Sequence, residues 1–361
     1  MTVESIHSLQ LIGSKAFGGA ERWFQRFSIA LNGLGHPTEL GVRQGSELDG
    51  DHWSGLTCHA LPMRTVWDPL SRFEVRRLVK RLKPQVVQTY MGRATRLTHL
   101  GKGSGAVHVA RLGGYYKVDG YRHADAWIGN TRGICDYLIQ SGFPAQRVHH
   151  IYNFADLPPQ GPAPEGFKAQ LGIPPEAWVL MTPGRFVGFK GHRYLLDALA
   201  RLPREISGRP VWQVIVGDGP LKDALHRQAR ENAIDQRIVW TGWQLDPDPY
   251  YRVADLIVFP STNAEPFGNV IIEAWGYAKP LVTSASMGAR EVARTGEDAL
   301  LFECENPAEL AKQIECALQD EALRTSMAAT GYKRAINEFG REPILRAYIE
   351  LYRSLLNPGC P

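Results

Sequence analysis

Apolar residues along the chain repeat with two different periods. Short apolar stretches, such as "SIHSLQLIG" at residues 5–13 and "PQVVQTYM" at residues 84–91, are typical of buried strands. Between them, "RWFQRFSIALNGLG" has the period of a helix. That period places five apolar residues on one face: Trp23, Phe27, Ala30, Leu31 and Leu34. Strands that alternate with helices in this way predict a parallel sheet covered by helices.

The alternation stops once, at residues 155–166, where prolines and glycines crowd the sequence. It restarts at "WVLMTPGRF", so this stretch predicts a linker between two Rossmann-like, doubly wound α/β domains. We place the first domain at residues 1–157, the second at 158–340, and a last helix at 341–361 that packs back toward the first domain. Because ligands of such sheets bind at the carboxyl ends of the strands, we expect a cleft between two facing domains to hold the substrate.

Composition and charge narrow the class of protein. The 361 residues are 44% hydrophobic and 22% charged, with no secretory signal pattern and no apolar run of about 18 residues, which predicts a cytoplasmic protein. The five cysteines have no paired spacing, so neither a zinc site nor a disulfide framework is expected. Residues 1–165 carry 19 Lys and Arg against 13 Asp and Glu, whereas the remainder carries 22 against 24. A basic first half indicates an anionic partner, which could be nucleic acid, a membrane surface or a phosphorylated acceptor.

The segment "AEPFGNVIIEAWGYAKP" places two carboxylates, Glu265 and Glu273, in mostly apolar surroundings. Glu265 precedes a proline and is expected in a loop after the strand "DLIVFPS". Asn269 is the predicted N-cap of the next helix, which carries Glu273 one turn in. The backbone amides at that helix start favour an anion, and carboxylates accept hydrogen bonds from sugar hydroxyls. The alternative is one capping or ion-paired glutamate and one exposed glutamate.

Two glycine-rich turns are further candidates. In "TPGRFVGFKGH", Arg185 and Lys190 follow a strand and are interleaved with glycines, an arrangement that binds phosphate, although the spacing is not that of a P-loop. In "AFGGAER", Gly18 and Gly19 lie between the first strand and the first helix. Alone, the first segment could be a solvated surface loop and the second a tight turn.

Taken in order, the motifs "FGGAER", "GRFVGFKG", "VGDGPL", "GW", "PSTNAEPFGNVIIEAWGYAKPLV" and "ASMGAREV" resemble the retaining glycosyltransferases of family 4, which have the GT-B fold. The resemblance covers about residues 8–310. It implies an enzyme that moves a sugar from a nucleotide-diphosphate sugar, linked to UDP, GDP or ADP, to a glycan acceptor. "YMGRATRL" and "ARLGGYYK" are similar to segments of lipopolysaccharide-core glycosyltransferases, which implies a lipopolysaccharide-core or other lipid-linked acceptor.

The resemblance also implies the site residues. Arg185 and Lys190 would hold the donor diphosphate, Glu265 would contact the transferred sugar, and Glu273 would bind the ribose; Arg185, Lys190 and Glu265 form the expected catalytic set. Gly18 and Gly19 would let the backbone of the first domain approach the donor phosphate. The remaining donor-binding positions are Gly217, Thr241, Gly242, Trp243, Phe267, Gly268, Asn269 and Val270.

One position departs from the family. Many members have a histidine where this chain has Gly113, so a contact to the sugar would be lost or replaced by neighbouring residues. His108, earlier on the same strand, is interpreted as structural. The expected acceptor-side residues are Arg93, Arg111, Tyr115 and Tyr116.

No metal is expected to be required. The two Asp-x-Asp pairs, Asp49 with Asp51 and Asp246 with Asp248, lie in segments typical of turns. No cofactor other than the sugar donor is implied.

A basic segment with aromatic neighbours suggests where the protein meets a membrane. Arg72, Arg76, Lys80 and Lys83 recur at helical spacing near Trp67 and Phe73. We therefore expect an anionic inner-membrane surface as a further partner of a cytoplasmic monomer or weak dimer, with a solvated helix face as the alternative. Nucleic acid is disfavoured because no binding motif is present. A GT-B sugar-nucleotide epimerase and a non-catalytic nucleotide-sugar-binding protein are the alternatives to a transferase.

Overall fold

The computed structural model describes residues 5–357 except Phe17, Asp51, His52, Ser54 and Lys102. The chain divides into two compact units. The first contains the chain up to Asn153 together with the segment that begins at Arg341, and the second runs from Phe154 to Gly340.

The first unit is a parallel sheet with the strand order β3-β2-β1-β4-β5-β6-β7. Its strands are β1 (Ser8–Ile12), β2 (Thr38–Arg43), β3 (Cys58–Leu61), β4 (Val86–Tyr90), β5 (Val107–Leu112), β6 (Ala126–Gly129) and β7 (Val148–His150). Its helices are α1 (Gly19–Gly33), α2 (Pro69–Leu82), α3 (Met91–Leu97), α4 (Arg132–Gln140) and the late helix α13 (Arg341–Leu356).

The two-residue period of the strands separates the faces of this sheet. Leu9, Leu11 and Val87 belong to an apolar cluster with residues of α2 and α3. The intervening residues Gln10 and Gln88 face the other way and form a buried hydrogen-bonded network with α13. Within that network, the Tyr352 hydroxyl donates to Gln88 Oε1 at 2.8 Å, and the Tyr90 hydroxyl donates to Gln10 Oε1 at 3.0 Å. Because each buried polar group has a partner, the network holds the last helix on the first sheet without an unpaired group.

The helix-face prediction for α1 is wrong at its end. Leu34 is 53% exposed, whereas Phe24, which the pattern left out, is fully buried. The cause is that the helix ends at Gly33, so Leu34 caps it with non-helical backbone and leaves the periodic face.

The second unit repeats the architecture with the strand order β11-β10-β8-β12-β13-β14, and β9 pairs with β10 in the antiparallel sense. Its strands are β8 (Trp178–Pro183), β9 (Glu205–Ile206), β10 (Arg209–Val216), β11 (Ile238–Gly242), β12 (Leu256–Phe259), β13 (Leu281–Ser284) and β14 (Leu300–Phe302). Its helices are α5 (Phe167–Gln170), α6 (His192–Arg201), α7 (Lys222–Glu231), α8 (Asp248–Val253), α9 (Asn269–Gly276), α10 (Met287–Val292), α11 (Pro307–Gln319) and α12 (Glu321–Asn337).

Both sheets change winding direction at one point. In the second unit, β10 and β11 lie on one side of β8, whereas β12, β13 and β14 lie on the other. The connection after β8 therefore leads to β10 on one side and the connection after β12 leads to β13 on the other, and doubly wound folds bind ligands in the crevice at such a point, at the carboxyl end of the sheet. No helix among the described residues is long and apolar enough to cross a bilayer.

Candidate functional site

The loops after β8 and β12 meet at this crevice of the second unit. The backbone amide of Thr262 donates to the carbonyl of Phe189 at 2.8 Å, which ties one loop to the other. Gly191 has φ +71°, and a Cβ there would stand 1.8 Å from the Pro260 carbonyl oxygen. Only glycine fits this approach, so the glycine after Lys190 fixes the distance between the two loops.

Lys190 and Glu265, 75 positions apart in the chain, form an ion pair across the crevice. Lys190 Nζ donates to Glu265 Oε2 at 2.6 Å, and their side chains are only 20% and 9% exposed. The Ser261 hydroxyl donates to the same carboxylate oxygen at 3.2 Å, and the ammonium also lies 5.2 Å from the centre of the Phe259 ring. A pair this buried is held by geometry and neighbouring hydrogen bonds. Glu265 is therefore the ion-paired glutamate that the alternative describes, but Glu273 is half-buried and not exposed.

Arg185 is the second cation at the crevice. It directly follows Gly184 at the end of β8, its side chain is exposed, and it forms no ion pair with any described residue. The loop after β8 thus carries two positive charges, the exposed guanidinium of Arg185 and the half-buried ammonium of Lys190, of which only the ammonium is paired.

The start of α9 supplies backbone donors. Gly268, with φ +86°, is the N-cap and Asn269 is the first helical residue, so the predicted cap lies one position too late. The left-handed backbone at this position favours glycine over asparagine. The amides of Gly268 and Val270 donate to no described residue, and they lie where the helix dipole favours an anion.

Glu273 lies one turn into α9 and is held from α8. The Tyr251 hydroxyl donates to Glu273 Oε2 at 2.9 Å, and the Tyr251 ring stacks on Tyr277 with centroids 4.6 Å apart. The carboxylate is thereby oriented with one oxygen engaged by the phenol, which leaves acceptor positions for a hydroxylated ligand.

The remaining predicted donor positions lie along the same strand ends. The amide of Gly184 donates to the carbonyl of Val216, and the amide of Gly217 donates to the carbonyl of Gly242, both at 2.9 Å. These bonds extend the sheet past the ends of β8, β10 and β11. Thr241 Oγ1 donates to the Gly242 carbonyl at 3.0 Å, and the Trp243 side chain is 49% exposed. The structure therefore brings these residues to one edge of the second sheet.

Sequence reasoning missed three neighbours of this edge: Ser261, Tyr251 and His192. His192, the first residue of α6, is 3% exposed, and neither ring nitrogen has a described partner. Burial, with the nearby Lys190 ammonium adding to it, lowers the pKa of His192 to about 3. The ring is therefore neutral at pH 7. In the sequence, the triplet "KGH" could have pointed to His192, because it places the histidine two positions after Lys190.

In the first unit, Gly18 is the extended N-cap of α1 and Gly19 is its first residue. Arg93 is half-buried, and its Nη1 donates to the carbonyls of Met63 at 2.8 Å and Arg64 at 2.7 Å. Its predicted role as an acceptor contact therefore competes with a structural one.

Three further acceptor-side residues lie on β5 and the loop that follows it. Arg111 is buried and donates to Tyr348 and Asn153. Tyr115 is 39% exposed, and the Tyr116 carbonyl accepts from the Tyr137 hydroxyl at 2.8 Å. These side chains flank Gly113.

The Asp-x-Asp pairs have local partners. Asp248 pairs with Arg252 at 2.5 Å and its amide donates to Asp246 Oδ1 at 3.0 Å; Asp49 Oδ2 accepts from the amide of Gly45 at 2.6 Å, and Asp51 lies outside the described residues. Across the part of the chain that the structure describes, no group of three His, Cys, Asp or Glu could hold a metal ion.

Comparison with known proteins identifies the family of the chain. Residues 165–334 match the family model "Glycosyl transferases group 1", and residues 17–158 match "Glycosyltransferase Family 4". The chain is 32% identical over 348 residues to the lipopolysaccharide core biosynthesis glycosyltransferase LpsE of Rhizobium meliloti (strain 1021), covering 93% of this chain and 96% of the relative.

Two solved structures share the fold. A glycosyltransferase from Rickettsia africae ESF-5 superposes with a TM-score of 0.84 over 98% of this chain and 99% of its own, at 18% identity. Alr3699/HepE of Anabaena, solved in complex with UDP and glucose, superposes with a TM-score of 0.83 over 97% of this chain and 100% of its own, at 22% identity. The chain is therefore a glycosyltransferase with the GT-B fold and belongs to glycosyltransferase family 4.

Proposed function

We propose that the protein transfers a sugar, with retention of anomeric configuration, from a nucleotide-diphosphate sugar to a glycan acceptor. The observation that carries this proposal is the buried Lys190–Glu265 pair at the crevice beside the exposed Arg185. Departure of the nucleoside diphosphate places negative charge on its phosphates. The cations of Arg185 and Lys190, with the amides of Gly268 and Val270 at the start of α9, would stabilise that charge in the transition state.

For the other residues we propose the roles that the family resemblance implies. Glu265 would contact the transferred sugar while it holds Lys190 in place, and Glu273 would accept hydrogen bonds from the ribose hydroxyls. Thr241, Gly242 and Trp243 would border the base. In a retaining front-face reaction, a donor phosphate oxygen accepts the proton of the acceptor hydroxyl, so no carboxylate base is needed.

For the acceptor we propose the lipopolysaccharide core or another lipid-linked glycan of the cell envelope. The support is the match to LpsE over 96% of that protein's length, which includes the acceptor-side unit. We further propose that transfer needs no metal ion, since the cationic residues would take the role that a divalent cation has in other glycosyltransferases. Loss of transfer on addition of a chelator, restored by a divalent cation, would contradict that part.

A panel of nucleotide sugars tests the proposed reaction. The full-length protein is incubated with each UDP-, GDP- and ADP-linked sugar, and free nucleotide and altered donor are followed by chromatography. Slow release of nucleotide from one donor, reduced in Arg185→Ala, supports a transferase. Conversion of the donor to its epimer would instead indicate an epimerase, and binding without turnover would indicate a binding protein.

We also propose that the first unit docks on an anionic membrane surface through the start of α2. Three apolar side chains there are unusually exposed, Trp67 at 74%, Leu70 at 47% and Phe73 at 61%. Basic residues flank them: Arg72, Arg76 and Lys80. Exposed aromatic groups beside cations suit the interface of an anionic bilayer.

Flotation with vesicles tests the docking. Wild type should float with phosphatidylglycerol vesicles and not with neutral phosphatidylcholine vesicles. Trp67→Ser combined with Phe73→Ser should reduce flotation, and because both side chains are exposed the fold should be unaffected. Equal flotation of the variant and wild type would contradict the proposed docking.

A further inference from the structure

Arg111 is a buried arginine near the end of β5 in the first unit. The side chain is 3% exposed. Its Nε donates to the Tyr348 hydroxyl at 3.1 Å, its Nη2 donates to Asn153 Oδ1, and its guanidinium carbon lies 4.8 Å from the centre of the Trp23 ring. Two hydrogen bonds and an aromatic face therefore fix the group in one orientation.

Arg111 has no carboxylate within ion-pair distance among the described residues. The two partners are a phenol and a carboxamide, and the guanidinium forms no ion pair with any described residue. Burial raises the pKa of the Tyr116 hydroxyl, the Arg111 cation lowers it, and the Glu21 carboxylate in the first turn of α1 raises it. Glu21 nevertheless forms no ion pair with Arg111. Burying a cation is costly unless it is paired or hydrogen-bonded, so an anionic group of a substrate that reaches Arg111 gains an ion pair that the described residues do not supply.

The third nitrogen of Arg111 faces the space left by Gly113. A Cβ at Gly113 would lie 3.5 Å from Arg111 Nη1 and 3.8 Å from Asn130 Nδ2. Asn130 is itself 3% exposed, and its Oδ1 has no described partner. Two donor nitrogens, Arg111 Nη1 and Asn130 Nδ2, are thus the atoms nearest to the Cβ position that Gly113 leaves empty, at the carboxyl ends of β5 and β6.

We infer that Arg111, Gly113 and Asn130 form a subsite for an anionic substituent, a carboxylate or a phosphate, on a substrate sugar. The inference rests on the proposed sugar transfer and specifies its substrate class. Arg111 Nη1 and Asn130 Nδ2 donate to the anionic oxygens, and Gly113 gives the substituent room. A neutral hydroxymethyl group at this point would leave the buried charge uncompensated.

The charged group can belong to the donor sugar or to the acceptor, and binding measurements separate these sources. Titration calorimetry compares UDP-glucuronate with UDP-glucose for the donor, and glucose 6-phosphate and glucuronate with glucose for the acceptor. We expect a preference of about tenfold or more for the charged member in at least one arm. If the protein turns over no donor, the proposed transferase activity is wrong. The subsite can still be tested in that case, because these experiments measure binding and not turnover.

Substitutions that preserve the fold make the test specific. Asn130→Asp supplies Arg111 with an internal carboxylate and should abolish the preference for the charged sugar. The methyl group of Gly113→Ala would make only ordinary contacts, at 3.5 and 3.8 Å, so this variant should fold normally. It should weaken binding of the charged sugar more than binding of the neutral one. The matched control is Arg122→Gln, which removes an exposed arginine that donates to the Ser141 carbonyl at 2.7 Å. It should behave as wild type.

Three outcomes would overturn the subsite. One is that the wild type binds the charged and the neutral sugars with equal affinity, or binds none of them. Another is a preference that survives in both Asn130→Asp and Gly113→Ala. The third is a preference lost equally in Arg122→Gln, which would assign it to general surface charge.

Discussion

Glu265 carries opposing effects at the residue scale. Its carboxylate pairs with Lys190 at 2.6 Å and so places the ammonium, yet it also adds a negative charge where the proposed diphosphate binds. In Glu265→Gln the amide oxygen can still accept from Lys190 and Ser261, while the repulsion toward phosphate is removed. We expect this variant to bind free nucleoside diphosphate as tightly as wild type or several-fold more tightly, and to release nucleotide from the sugar donor about 10²-fold more slowly.

Calorimetry with UDP, GDP and ADP, beside the release assay, separates these two effects. The control is Glu303→Gln, because Glu303 pairs with Arg290 at 3.1 Å on the exposed surface of the same unit. Both measurements should be unchanged there. Weaker binding of the diphosphate by Glu265→Gln would show that the carboxylate supports phosphate binding, against the role argued above.

At the scale of elements, the joint between the β8–α6 loop and the β12–α9 loop depends on Gly191. Alanine there would bring a Cβ to 1.8 Å from the Pro260 carbonyl oxygen, so one loop would have to move. Gly208 has almost the same backbone, φ +72° against +71°, but nothing lies within 4 Å of its Cβ position. Gly208→Ala therefore measures the conformational cost alone, about 1 kcal/mol.

We expect Gly191→Ala to lower the free energy of unfolding by about 2–4 kcal/mol, more than Gly208→Ala does, because the steric clash adds to the conformational cost. It should also weaken nucleotide binding, since Lys190 is the adjacent residue. Urea unfolding and calorimetry of both variants check this. Similar losses of stability in the two variants would mean that the loops accommodate the methyl group.

The architecture of alternating elements could be predicted from periodicity, and so could the loop position of Glu265 after its strand. Pairings across elements could not be. Lys190 meets Glu265 because β12 lies beside β8, and that adjacency depends on sheet order. Likewise, the bond from Tyr251 to Glu273 joins α8 to α9.

Short elements were not predicted either: β7 has three residues and β9 has two, too few to show a period. The N-cap of α9 was predicted one residue too late because asparagine is a common N-cap, whereas the left-handed backbone before α9 favours the preceding glycine.

At the scale of the whole molecule, buried histidines govern the response to acid. Burial lowers the pKa of His108 in the first unit to about 3, with the neighbouring His123 and His99 adding to the effect. His192 in the second unit is similarly lowered to about 3. Since the unfolded pKa is 6.5, the unfolded chain binds more protons between these values, so stability is complete above about pH 6.5 and falls as the pH decreases toward 3.

Carboxylates with lowered pKa values affect the folding stability at lower pH than the histidines do, so the two contributions can be separated. Asp248 and Glu338 have pKa values lowered, by hydrogen bonds to Arg252 and Arg334 respectively, from unfolded values of 3.8 and 4.5. The stability they contribute is present above those values and is lost only as the pH falls below them. The interval from pH 7 to pH 5 therefore reports on the histidines.

We expect His108 and His192 each to cost about 2 kcal/mol of unfolding free energy between pH 7.5 and pH 5. Urea unfolding at both pH values measures the loss. His192→Phe is the informative variant, because neither ring nitrogen has a described partner to lose. Replacing an unpaired polar group with an apolar one of similar shape should leave stability at pH 7.5 equal or higher and make the acid loss about 2 kcal/mol smaller than in wild type. An unchanged acid loss in His192→Phe would mean that this ring titrates normally and is open to solvent.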